Sequence, residues 1–182
     1  MRCARGDGDG ALAAYRRAIA LREALVASRP GVPDYQNGLA NSYKNLGVIL
    51  REMGDLSGAD AAFRKATELG DALTRSHPDV PTYQIVHAEG WYNWGLLRQQ
   101  QGQHEEAVSL FGKSLQHLRA ARKTAPKRVA ILEHLGIAYE GLIRSLRVLN
   151  RSEEAAAAKK MQEIAGPVGD PDRGFPADPF AH

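Results

Sequence analysis

Only one cysteine, Cys3, stands in the 182 residues. A disulfide framework within the chain and cysteine-rich zinc ligation are therefore excluded. No apolar run approaches the roughly 20 residues that a helix needs to cross a bilayer. The start, MRCARGDGDG, has two arginines but no apolar segment of the kind a secretory signal carries. Charge of one sign is also scarce: a formal net charge of +3 is too small to argue for nucleic acid on its own. The apolar share of 43% and the charged share of 25% are those of an ordinary globular protein, so a cytoplasmic chain without membrane contact is expected. Chemistry-bearing motifs are missing as well. The six histidines are scattered, and none stands in an HExxH arrangement. Asp7-Gly8-Asp9-Gly10 lacks the spaced third ligand of a calcium loop, and Ala18 stands where its bidentate glutamate belongs. No catalytic residue, metal or cofactor is expected.

What the chain does have is a repeat. Advancing 48 residues along the sequence brings key residues back. Ala59 recurs as Ala107 and Ala155, and backwards as Ala11. Phe63 recurs as Phe111 and Tyr15, Gly47 as Gly95, Gly54 as Gly102, and Val32-Pro33 as Val80-Pro81. A fixed period in this range marks stacked supersecondary units.

Each unit reads as two helices. Over 34–53, Leu39, Tyr43, Leu46, Leu50 and Met53 fall at steps of four and three, one apolar stripe. Gly54-Asp55 supplies a turn. Over 56–76, Ala59, Ala62, Phe63, Ala66, Leu69 and Leu73 form the facing stripe, with small alanines expected to lie against Gly47. The pattern predicts further helices over 10–28, 82–101, 104–124, 127–149 and 152–165. The fold class is thus all-α, a helical-hairpin solenoid of about seven helices over 10–165. Residues 1–9 and the Gly/Pro-rich tail 166–182, with Phe175 and Phe180, are expected to be disordered.

Tyr43, Leu46, Gly47, Leu50, Ala59, Phe63 and Ala66, with Trp91, Gly95, Ala107 and Phe111 in the next unit, resemble the tetratricopeptide repeat family in a long-helix variant, similar to kinesin light chains. The resemblance implies a right-handed superhelix and a non-catalytic scaffold whose first helices line a concave face for a partner peptide or helix. It puts Asn41, Lys44, Asn45, Val48 and Arg51 on that face, then Glu89, Tyr92, Asn93, Leu96 and Gln99, then Ile137, Glu140, Arg144 and Arg147. The family's carboxylate clamp is matched at Lys44 and Asn93 and missed at Val48, Ile137 and Gly141. Phrases such as VPTYQ are also similar to repeat extensions of bacterial serine/threonine kinases. A docking fragment of such a kinase is therefore the alternative function, although the chain has no Gly-rich phosphate loop, HRD or DFG.

Trp91 and Trp94 occupy columns held elsewhere by Tyr43 and Leu46, which predicts packing between helices. His87 falls at a packing column and is expected to be partly buried and hydrogen-bonded. Arg119, Arg122, Lys123, Lys127 and Arg128 read as a solvated basic corner without interleaved aromatics, so nucleic acid is not the expected partner. Helix 10–28 matches the second helix of a unit, because Ala11, Tyr15 and Ala18 align with Ala59, Phe63 and Ala66. Its face lacks a first helix. Either a second copy covers it in a homodimer, or the natural protein is longer and this chain begins too late.

Overall fold

A computed structural model describes residues 3–165, with side chains from Gly10 onward. The tail 166–182, with Phe175 and Phe180, lies outside the described residues. Among those residues the fold is all-α, in seven helices: α1 (Cys3–Ser28), α2 (Pro33–Glu52), α3 (Leu56–Ser76), α4 (Pro81–Gln100), α5 (His104–Thr124), α6 (Val129–Val148) and α7 (Ser152–Ala165).

The hairpins are set by their turns. α2, α4 and α6 each end on a residue in the left-handed region: Gly54 (φ 85°), Gly102 (φ 74°) and Asn150 (φ 58°). Glycine pays no Cβ penalty there, and asparagine is one of the few other residues that visits it. At all three ends the amide of that residue donates back to the helix, as Gly54 does to Arg51 O at 3.1 Å. The next amide reaches one residue deeper, Asp55 to Leu50 O, Gln103 to Arg98 O and Arg151 to Leu146 O, each at 2.9 Å. This paired closure satisfies carbonyls that a helix end otherwise leaves bare. At the other end, Pro33 and Pro81 occupy the first turns of α2 and α4, where a missing N–H costs nothing. The Asp55 side chain caps α3 by accepting from Gly58 N at 2.8 Å.

Every helix packs on its chain neighbours. In addition α2 packs on α4 and α4 on α6, whereas the backbones of α1, α3, α5 and α7 make no close approach to one another. The first helices therefore form one close-set layer, and the second helices form a splayed outer layer. That asymmetry bends the stack toward α2, α4 and α6.

The glycine column works differently from the alanine-on-glycine contact expected. A Cβ on Gly47 would lie 2.6 Å from the Phe63 ring, and one on Gly95 would lie 2.7 Å from Phe111. Glycine is needed because an aromatic edge fills the space, not because a small alanine does. Gly141 of α6 makes the same approach to the same edge of Phe111, also at 2.7 Å. Phe63 and Phe111 are fully buried, and so are Ala59 and Ala107 beside them.

Three other expectations need correction. α1 starts at Cys3 rather than at Gly10, so the Gly/Asp-rich stretch continues the helix. Glycine costs a helix about 1 kcal/mol relative to alanine, a penalty but not a prohibition. On α1, Ala11, Tyr15 and Ala18 are partly exposed, as expected of a face without a first helix, and Leu21 and Leu25 are more open still. Met53 is the C-cap residue of α2 and points to solvent rather than completing its stripe. The basic corner is partly internal: Arg122 is buried and Arg119 donates to the Tyr139 hydroxyl at 2.6 Å. Their long stems lie between α5 and α6, as amphipathic side chains do when apolar surface is at hand.

Candidate partner-binding face

The close-set layer brings side chains from three hairpins onto one surface. Its middle is a half-buried ion-pair chain. Lys44 of α2 is paired with Glu89 of α4, and the other Glu89 oxygen lies 2.8 Å from His134 Nε2 of α6. His134 Nδ1 donates to its own helix at Ala130 O. Hydrogen bonds from both ring nitrogens suit the imidazolium, and Glu89 holds the His134 pKa above its ordinary value. Burial pushes the Glu89 carboxyl upward, but the His134 bond and Lys44 outweigh it and leave the pKa lowered. Lys44 and Glu89, both expected to meet a partner, thus spend their charge on each other across the hairpin boundary.

Gln99 is committed too, donating to Gly141 O at 2.8 Å and Ser145 Oγ at 2.7 Å. The Asn93 amide donates to Glu89 O of its own helix at 2.8 Å. Val48 and Leu96 pack against the core clusters. The clamp residues do not assemble: Lys44 is paired, and Gly141 is pressed on Phe111, where no basic side chain fits.

What stays accessible is a set centred on Tyr92. Its ring is half-buried, with its centroid 5.7 Å from that of Phe111. Burial raises the hydroxyl pKa, and the charges of Arg144, Glu140 and Arg51 all act on that hydroxyl. Charged residues of α2 and α6 therefore lie within electrostatic reach of this tyrosine of α4. Glu140, Arg144 and Arg147 are exposed on α6, as is Ile137. Asn41 and Asn45 lie half-exposed on α2. Beside Arg144 and Arg147 a groove of about 420 Å³ opens between α6 and α7, with Lys159 and Gln162 on its far wall. Lys159 replaces the aromatic of the earlier units at that position. The repeat column therefore held a signal for this basic groove.

Two features lie away from this face. Trp91 is buried and stacks on Trp94 at 5.5 Å, as the column comparison predicted for packing residues, and the Trp94 Nε1 donates to Asp60 Oδ1 at 2.9 Å. His87 is buried and bonded, also as predicted. Its neighbours were not foreseen: Asp71 of α3 and His117 of α5 meet it, their ligand-type atoms all within 4.8 Å of one another. Burial lowers the pKa of both histidines, that of His117 to about 4 with the neighbouring His87 adding to the effect.

Among the described residues, no helix is long and apolar enough to cross a membrane. No curated protein and no solved structure matches the chain. Two tetratricopeptide repeat models do match, one over residues 39–79, which holds most of α2 and all of α3, and one over 88–116, which holds most of α4 and α5. These two stretches are thus similar to tetratricopeptide repeats, and the all-α order of adjacent helical hairpins is consistent with that likeness.

Proposed function

We propose that this chain is a non-catalytic scaffold that binds a partner peptide or helix on the α2–α4–α6 face, with Arg51, Tyr92, Arg144 and Arg147 as the principal contacts. The observation that carries the reading is the packing of α2 and α6 on α4, which brings Arg51 and the exposed Glu140 and Arg144 within electrostatic reach of the half-buried Tyr92. Aromatic and arginine side chains dominate interface energetics, because they offer large area and several directed donors at low entropic cost. Two or three guanidinium groups beside one carboxylate favour a partner with an acidic group. Asn41 and Asn45 can both donate to and accept from a peptide backbone alongside. The Lys44–Glu89–His134 chain serves this face by fixing the three inner helices in register. We take the repeat as a 48-residue long-helix unit, supported by first helices that begin at Pro33, Pro81 and Val129.

The test is selection from a peptide library followed by site-directed variants. Selected peptides should carry an acidic residue and bind more weakly as salt rises. Tyr92→Ala and Arg144→Glu should each weaken binding by roughly tenfold or more, equivalent to at least about 1.4 kcal/mol. Arg64→Ala on α3, outside the inner layer, should leave it unchanged. Equal binding by all three variants would place the contact elsewhere.

A further inference from the structure

We propose that Asp71, His87 and His117 form a binding site for one divalent transition-metal ion of the zinc class, stapling α3, α4 and α5 together. The two imidazole nitrogens and one carboxylate oxygen come from three helices and two hairpins, and lie within 4.8 Å of one another. Zinc bound to nitrogen and oxygen at about 2.0–2.1 Å holds tetrahedral ligands roughly 3.4 Å apart, so a modest side-chain adjustment closes the set. Two imidazoles and a carboxylate are a donor set that suits this class of ion, with a fourth position left for water or another ligand.

The cluster is incomplete on its own terms. The His87 side chain has no exposed surface; its Nδ1, without a hydrogen-bond partner, is pressed against Gly70, so Nε2 is the nitrogen that faces the cluster. Its Nε2 is oversubscribed: Asp71 Oδ1 lies at 2.8 Å and the Trp91 Nε1–H points at it from 3.0 Å. One nitrogen carries either a proton or an electron pair. As an electron pair it suits Trp91 and faces a carboxylate; as a proton it suits Asp71 and faces an N–H. Neither choice satisfies both contacts. A cation between His87, Asp71 and His117 removes the opposition of electron pairs and releases the Trp91 N–H.

The third ligand is already oriented. The Gln84 amide nitrogen donates to Pro78 O at 3.1 Å, which turns its Oε1 toward His117 Nδ1 at 2.7 Å. His117 therefore carries its proton on Nδ1 and its electron pair on Nε2. A hydrogen bond to the far nitrogen is the usual support of a ligating histidine. Access is through Asp71, whose side chain is 43% exposed. One group opposes the ion: the Lys113 ammonium, seated 4.2 Å from the centre of the Trp91 ring.

The experiment uses the full untagged chain, stripped with chelator, and titrated with zinc chloride by calorimetry and with cobalt(II) by visible absorption. Expected are one equivalent of metal, a change in tryptophan emission as the Trp91 N–H is released, and a raised melting temperature. Asp71→Asn and His117→Gln, which keeps a donor for Gln84, should each weaken binding by more than about tenfold. Lys113→Gln should tighten it, and His77→Ala should leave it unchanged. Because His87→Ala risks the fold, the two milder ligand variants, checked by circular dichroism, carry the decision. Zinc affinity equal in wild type and His117→Gln, or lost with His77→Ala, would overturn the proposal.

Discussion

Phe111 is the pin between the second and third hairpins, and its removal has a calculable signature. Its ring is fully buried, with one edge against Gly95 of α4 and Gly141 of α6. Phe111→Ala takes away that ring and leaves a cavity that two packed helices cannot easily close, so the expected cost is about 3–5 kcal/mol. For a chain of this size, each 1 kcal/mol moves the melting temperature by about 2–4 °C, which gives a fall on the order of 10 °C. The informative measurement adds Gly141→Ala. In the wild-type background its methyl would sit 2.7 Å from Phe111 Cε1. Overpacking there costs about 1–3 kcal/mol, partly offset by a helix-propensity gain of up to about 1 kcal/mol. In the Phe111→Ala background the clash is gone, and the same change should stabilise by up to about 1 kcal/mol. Urea denaturation of the four proteins, followed by circular dichroism and by tryptophan fluorescence, closes the cycle, and coincident transitions license two-state energies. A coupling of about 1–3 kcal/mol is expected, and additivity within about 0.5 kcal/mol would falsify the ring-on-glycine account. Arg64→Ala, on a solvent-facing side chain paired with Asp60, should cost less than about 0.5 kcal/mol in the same assay.

The ion-pair chain gives a pH prediction whose sign follows from His134. Its pKa is raised in the fold by Glu89 against the charge of Lys44, so its stabilisation is complete below pH 6.5 and lost as pH rises through the folded-state value. The denaturation midpoint should therefore fall on the alkaline side of pH 6.5, and His134→Gln should flatten that fall; an unchanged profile would mean the pair contributes nothing. The open side of α1 gives the other. Leu21 and Leu25 are 65% and 43% exposed on one helix, and the chain is expected to self-associate through them at micromolar concentration. Sedimentation should show a dimer that Leu25→Glu dissociates, and a wild-type monomer would refute it.

The glycine, proline and alanine columns already made the helices and turns legible, because those features are local. Pro33 and Pro81 start helices by their own geometry, Gly54 and Gly102 end them by theirs, and stripes at steps of three and four state which face is buried. Asn150 shows the limit even there: it does the work of the two glycines without sharing their identity, and only its φ of 58° reveals it. The candidate site divides along the same line. Arg51, Tyr92, Glu140 and Arg144 became candidates for one face through the family resemblance together with helical phase within each unit. That Lys44 meets Glu89, 45 residues away, and that Asp71 and His87 meet His117, depends on how far one hairpin is offset and rotated against the next. A repeat pattern specifies the inside of a unit and leaves that offset to the packing between units, where Phe111 locks into Gly141 and Arg122 finds room inside the fold. Sequence determined the helices, their turns and their inward faces. Tertiary packing decided which polar side chains are spent on holding hairpins together and which remain open to a partner or a metal ion, because charges and ring nitrogens act over a few ångströms and only the assembled stack sets those distances.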